Sequence, residues 1–265
     1  MNPSIFKLLV VPLLLLVNPT SRGIAHAADS PAAPTPLLVE LFTSEGCSSC
    51  PPADAWLETI DSTQPIAGAY AIVLSEHVDY WNHDGWKDPY SSAQFTERQA
   101  TYARALGLSG SYTPAVIVNG KSEVHLTSAQ AAGDDLAKAV KPAQVPVTIG
   151  AITLQAGSVL HTHIDADGSA AKHNADVYAA LALDHAQSQV LRGENGGRHL
   201  THAAVLLELT KIGKLEKGKA FSQDFQIQLK PGVDPKNLRL VLFVQEFGQG
   251  AVLGTALREV ETTAH

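Results

Sequence analysis

Sulfur is scarce in this chain of 265 residues, which holds two cysteines and one methionine. Two cysteines cannot build a multi-bridge disulfide scaffold, nor a zinc site made of two cysteine pairs. Basic charge is also short, with 19 Lys and Arg against 26 Asp and Glu, a formal net charge of -7. Without a Lys/Arg block or basic stripe, nucleic acid is excluded as an expected partner. Long apolar runs are missing as well. The most apolar stretch, Leu8 to Val17, is about ten residues, against the roughly 20 a membrane-spanning helix needs. The chain is therefore not expected to be an integral membrane protein.

That short run has another reading. Lys7 gives a positive n-region, Leu8 to Val17 an h-region, and Ala25 with Ala27 an A-x-A site, the layout of a secretory signal peptide. Residues 1–27 are expected to be removed after about Ala27, giving a periplasmic or secreted protein. Of the 19 basic residues, Lys7 and Arg22 would go with them. The rest is long enough for one large domain or two ordinary ones.

Cys47 and Cys50 stand three positions apart. In exported proteins cysteines are usually structural staples, but a bridge this short closes almost no loop and constrains the unfolded chain little. Reactivity is the better reason for the pair. The apolar run Leu37 to Phe42 reads as a buried strand, and Pro51-Pro52 opens a helix carrying Ala53, Trp56, Leu57 and Ile60 at helical spacing. Between them, Gly46-Cys47-Ser48-Ser49-Cys50 occupies a strand-to-helix turn, where free N–H groups and the helix dipole lower a thiol pKa. Cys47, expected to be the more exposed, would attack, and Cys50 would resolve the mixed disulfide.

Residues 28–36, small and Pro-rich, read as a linker. After the first strand and helix come a strand at Ala69 to Ser75 and a helix at Ser92 to Leu106, stopped by Gly107. A strand at Ala115 to Val118 turns at Asn119-Gly120 into Ser122 to Leu126. A last helix runs to Val140, capped by Thr127 with Gln130. Beyond Lys141-Pro142 the texture changes to about seven short strands, at 145–153, 158–165, 176–184, 202–210, 219–229, 237–246 and 251–260. The 202–210 segment would also suit a helix. The expected fold is α/β: a βαβα-ββα domain over 37–142, then an all-β sandwich-like domain over 143–265.

With Thr113-Pro114 opening the third strand, this order resembles a minimal thioredoxin fold. The resemblance implies a cis Thr113–Pro114 bond beside the cysteines, its backbone offered to a substrate strand. More narrowly, the chain resembles the DUF1223 family of predicted secreted bacterial proteins. The residues that carry this are Glu40 to Asp54 (ELFTSEGCSSCPPAD), His77-Val-Asp-Tyr-Trp81, Gly85-Trp-Lys-Asp-Pro89, Phe95-Thr-Glu-Arg-Gln99, Tyr112-Thr-Pro114, Gly193-Glu-Asn and Arg198-His-Leu-Thr-His202. That family has no settled activity.

His77 and Asp79 follow the second strand at its carboxyl end, where α/β sheets gather ligands. His77 is a candidate proton shuttle or soft-metal ligand, or a loop histidine that orients its neighbours. Glu45, if aimed at Cys47, would raise the thiol pKa. Trp81, His83, Asp84 and Trp86 would pack their loop down onto the domain, or form a platform over the thiols. Glu97, Arg98 and Arg104 read as a solvated helix face, and His161 with His163 as a surface strand face. Glu194, Asn195, Arg198, His199 and His202 form a polar turn that would dock the two domains or line a cleft between them.

The leading expectation is an exported thiol-disulfide oxidoreductase without a cofactor. It would act on a disulfide- or thiol-bearing protein, or on a small thiol, and be served by a redox partner. One alternative is a copper carrier binding Cu(I) through Cys47, Cys50 and His77. Another is a non-catalytic envelope binding module with an inert disulfide.

Overall fold

In the computed structural model, the described residues are 33–155 and 158–260, besides Met1. The expected signal peptide, its cleavage point and the first part of the linker lie outside them. The linker's last two residues, Thr35 and Pro36, already belong to the first strand and pair with Ala69 and Tyr70.

The elements in chain order are β1 (Thr35–Thr43), α1 (Pro51–Thr63), β2 (Ala69–His77), α2 (Ala93–Leu106), β3 (Ala115–Val118), β4 (Ser122–Val124) and α3 (Ala129–Ala139). There follow β5 (Val147–Ile149), β6 (Thr153–Gln155), β7 (Val159–Asp167), β8 (Ala175–Gln189), β9 (His199–Leu215), β10 (Ala220–Gln228), β11 (Leu238–Glu246) and β12 (Val252–Glu259). This is a mixed α/β protein made mostly of strands. One sheet has eight strands in the order β12-β11-β8-β9-β2-β1-β3-β4, and a second has the order β10-β7-β5, with β6 on β7.

β1 is the centre of the helical half. It runs parallel to β2 and antiparallel to β3, and its side chains alternate between the two faces as a strand requires. Leu37, Val39 and Leu41 pack with Ala53, Leu57 and Ile60 of α1 and with Ala132 and Leu136 of α3. Leu38 faces the other way and packs with Phe95 of α2, and Phe42 with Tyr102 of α2. α2 starts at Ser92, whose hydroxyl accepts from the Gln94 N–H, and ends at Gly107 with φ 67°. The N-cap of α3 is Ser128, whose hydroxyl accepts from the Ala131 N–H; Thr127 was the expected cap.

The change of texture at Pro142 is not a break in the sheet. β9 lies parallel to β2, paired at Ser75–Val205, and β8, β11 and β12 extend the same sheet outward. From Ala33 onward the described residues form one compact unit. The all-β region is thus divided between two sheets. β5, β7 and β10 cover one face of the extension, with Ile149, Ile164 and Ala166 against Val177, Leu240, Leu242 and Leu253. The expected strand over 145–153 is two short strands, β5 and β6. Residues 202–210 are wholly strand, since β9 pairs along its length with β8 and at Val205 with β2, and pairing overrides its helical composition.

Two consequences follow for the site. β8 and β9 have 15 and 17 residues, longer than the usual 3–10. Their hairpin carries its connecting loop beyond the end of β2. Arg239 of β11 forms a two-pronged ion pair with Asp61 of α1, both N···O distances 2.9 Å, and also contacts Asp184 of β8. Arg239 is buried and its two aspartates are partly so; removing one member of a fully buried pair costs about 3–5 kcal/mol. Arg239→Leu is therefore expected to lose about 3 kcal/mol of unfolding free energy in urea. A loss under about 1 kcal/mol would mean that the clamp contributes as little as a surface pair.

Candidate functional site

The cysteine turn lies where expected, between β1 and α1, and Cys47 and Cys50 are joined as a disulfide with a Cα–Cα separation of 5.4 Å. Cys50 is the N-cap residue of α1, and its carbonyl accepts from the Ala53 and Asp54 N–H groups. One expectation is overturned. Cys47 is not the exposed partner: both cysteines have 0% exposure, while Ser48 and Ser49 between them are exposed.

The loop between β8 and β9, residues 190–198, is hydrogen-bonded onto the backbone of this buried turn. Asn195, itself fully buried, donates through Nδ2 to the carbonyl oxygens of Glu45 and Cys47, both at 2.9 Å. Glu194 accepts from the Ser48 N–H at 3.0 Å. Gly46 backs onto Trp81, whose Cβ would lie 2.9 Å from a Cβ added there. The polar turn noted in the sequence therefore divides: Glu194, Asn195 and His202 meet the cysteine turn, whereas Arg198 and His199 face solvent.

Beneath the turn lies a buried ionic cluster. His202 of β9 sits between Glu45 (3.5 Å) and Asp54 (3.6 Å), carboxylates on either side of the cysteine pair in sequence. Burial opposes charge on this ring, but the two carboxylates outweigh it and raise the pKa to about 9. The His202 ring meets that of His77 edge-on at 4.7 Å. His77 Nδ1 is 2.7 Å from Asp88, which also accepts from the Glu45 N–H at 2.8 Å. Burial alone would raise the Asp88 pKa; His77 and the Glu45 and Tyr90 N–H groups reverse this and hold it below the ordinary carboxylate value. Tyr90 packs edge-on against both histidine rings.

His77, named as a shuttle or copper ligand, is thus engaged by Asp88 and His202. Cys47 and Cys50 are bonded to each other here, whereas the copper reading concerns their reduced thiolates. Among the described residues no group of three or more His, Cys, Asp and Glu side chains is arranged to hold a metal ion. Glu45 points neither outward nor into open space: it is buried, and Trp86 Nε1 donates to it at 2.7 Å.

Thr113 and Pro114 are half-buried, and the bond between them is cis. Trp81 Nε1 donates to the Thr113 hydroxyl at 2.8 Å, so Trp81 and Trp86 both hold their loop down. Pro114 borders a cavity of about 300 Å³ together with Ser49, Pro52, Trp56 and Leu126. The cavity reaches the outer edge of the cysteine turn.

Arg98 departs from its expected solvated face. It is buried on α2 against Glu40 of β1, with Nε to Oε1 at 2.7 Å, and donates to the Tyr102 hydroxyl at 2.8 Å. Burial raises the pKa of nearby Glu76 well above the usual carboxylate value. Glu97 and Arg104 do face solvent, paired at 3.0 Å. His163 is exposed too, held by Asp224 at 2.8 Å and Ser222 at 2.9 Å. The residues that sequence reasoning missed are Asp54, Asp88 and Tyr90. Asp54 and Asp88 stand inside family motifs, yet nothing in their local sequence marks them as facing a histidine.

The chain belongs to the family described as "Protein of unknown function (DUF1223)", which matches residues 38–245. No curated protein matches it. Among solved structures it is similar to protein AGR_C_4864 from Agrobacterium tumefaciens, with TM-score 0.65 and 27% identity over 88% of this chain and 99% of that one. A domain of the outer membrane lipoprotein Omp28 from Porphyromonas gingivalis matches with TM-score 0.30 and 15% identity, over 46% of this chain and 92% of that one. Among the described residues no helix is long and apolar enough to cross a membrane.

The cluster has a pH signature. The His202 pKa is raised from 6.5 in the unfolded chain to about 9. Its stabilisation is complete below pH 6.5 and lost as pH rises through about 9. Urea unfolding of the intact protein should therefore show stability declining between those values, with Glu45, Asp54, His77, Asp88 and Tyr90 facing the ring. In His202→Gln that decline should flatten. An equally steep decline in the variant would assign it to other groups.

Proposed function

We propose that this protein is an exported thiol-disulfide exchange protein whose helical half is thioredoxin-like. The observation that carries the reading is a Cys47–Cys50 disulfide at the junction of a parallel strand and a helix N-terminus. Beside it, Pro114 borders a cavity that reaches Ser49. The strand order β2-β1-β3-β4, with β1 parallel to β2 and antiparallel to β3, supports the thioredoxin-like assignment. In the reaction, a thiolate of a partner dithiol attacks Cys47 Sγ, the Cys47–Cys50 bond breaks, and Cys50 leaves as the thiolate. The partner's second thiolate then displaces Cys47. The partner ends as a disulfide, and Cys47 and Cys50 end as thiols after proton uptake.

The helix dipole favours negative charge at its N-terminus, where Cys50 stands. His202 places a cation within the same buried cluster, beside the carboxylates that flank the pair. The helix N-terminus favours a thiolate over a thiol there, and His202 offsets part of the negative charge of Glu45 and Asp54. Export remains part of this proposal and rests on the residue pattern of positions 1–27.

Complete burial of both cysteines favours a second reading, in which the disulfide is inert and the protein is a binding module. One redox titration separates the two. Equilibration with dithiol buffers should give a midpoint within the range of exchange proteins, about -120 to -270 mV. A midpoint below about -300 mV, the region of structural disulfides, would overturn the exchange reading and leave the binding module.

A further inference from the structure

The loop between β8 and β9 is held to the rest of the protein in an unusual way. Of residues 191–199, only Asn195 is buried. Its neck is closed by Val190 and Arg198, with the Val190 N–H donating to the Arg198 carbonyl at 3.0 Å and the Gly197 N–H to the Val190 carbonyl at 2.8 Å. Within the neck, Gly193 and Gly197 have φ of 76° and 83°, left-handed values that glycine adopts without cost. Val190 is buried at the neck and Gly193 packs against Asp84 and Trp86, whereas Leu191 at the start of the lid segment is 69% exposed. The loop's bonds to the cysteine turn are polar: the two from Asn195 Nδ2 and that of the Glu194 carboxylate with the Ser48 N–H. Asn195 Oδ1, also buried, has no hydrogen-bond partner. An unmet buried acceptor costs about 1–3 kcal/mol, so closure forfeits part of what the Nδ2 bonds contribute.

We propose that residues 191–197 are a lid over the Cys47–Cys50 disulfide, that Asn195 is its latch, and that exchange takes place with the lid lifted. The inference rests on the exchange reading above and concerns the regulation of the same site. With the lid down, Cys47 and Cys50 have 0% exposure and neither sulfur has surface for an incoming thiolate. Lifting the lid breaks three hydrogen bonds made from two side chains and parts Gly193 from Trp86. It leaves β8 and β9 paired below the neck, so opening needs no unfolding of the sheet. Asn195 is a positioning residue: it touches the backbone of Glu45 and Cys47 and no reacting atom.

A gated disulfide has a kinetic signature. The rate of reduction by dithiothreitol rises with reductant concentration and then levels at the rate of lid opening. Asn195→Asp preserves size while replacing the donor amide with a carboxylate against two carbonyl oxygens. It should raise the plateau about tenfold or more, since two hydrogen bonds are lost. Glu194→Ala, at an exposed position, should raise it about two- to fivefold, as for one exposed bond. Far-UV circular dichroism identifies any variant that has not folded, and Glu194→Ala keeps the test open if Asn195→Asp has not. The expected result is a plateau in the parent that rises in the folded variants. Linear kinetics in the parent, with variants reduced at the same rate, would overturn the lid and leave the exchange reading standing. No reduction in the parent or in any folded variant would overturn the exchange reading itself.

Discussion

The edge of β2 is the constraint on which the rest depends. In the helical half alone, β2 would end the sheet with a row of unpaired backbone groups, an edge that folded proteins cover or blunt. Here β9 takes that place through Ser75 and Val205. Ala204, next to the bridge, has φ 52° and is buried in the same core as Leu37, Val39 and Leu57. Because β9 and its hairpin partner β8 are long, the seam also delivers their loop to the cysteine turn and His202 to the carboxylates beneath it. The site is therefore built by both halves of the chain: sulfur from one, cover and cation from the other.

Strand alternation distributes the buried charges. Adjacent β2 residues Glu76 and His77 point to opposite faces. Glu76 goes to the α2 side with Glu40 and Arg98, and His77 to the cysteine side with Asp88 and His202. The first cluster has two carboxyls and one guanidinium, and the raised Glu76 pKa leaves Arg98 balanced by Glu40. Gln245 of β11 accepts from Arg98 and donates to the Tyr102 hydroxyl, so this cluster too spans the seam. Both buried clusters thus have partners from both halves of the chain.

Much of the helical half was legible because its signals are local. Continuous apolar runs marked β1 and β2, Pro51-Pro52 and Gly107 marked helix limits, and Asn119-Gly120 marked the β3–β4 turn. The pairing of β9 with β2 was not legible, because the two strands lie more than a hundred residues apart and neither carries a mark of its neighbour. For the same reason the chain read as two domains. Arg98 read as solvated since the i, i+4 pattern does not reveal that Glu40 and Glu76 wait across the helix. At the site, the cysteines and Thr113-Pro114 were visible as motifs. The bonding of Asn195 to the cysteine turn was not, because Asn195 is distant in sequence and indistinct from any polar turn residue.

Tryptophan placement allows the seam to be tested on the intact protein. All three tryptophans, Trp56, Trp81 and Trp86, lie in the helical half, while eight of the twelve strands follow it. Urea unfolding followed by tryptophan fluorescence and by far-UV circular dichroism should give superimposable transitions, as one cooperative unit requires. Two transitions with separate midpoints would mean that the halves fold independently, contradicting the claim that β9 makes them one.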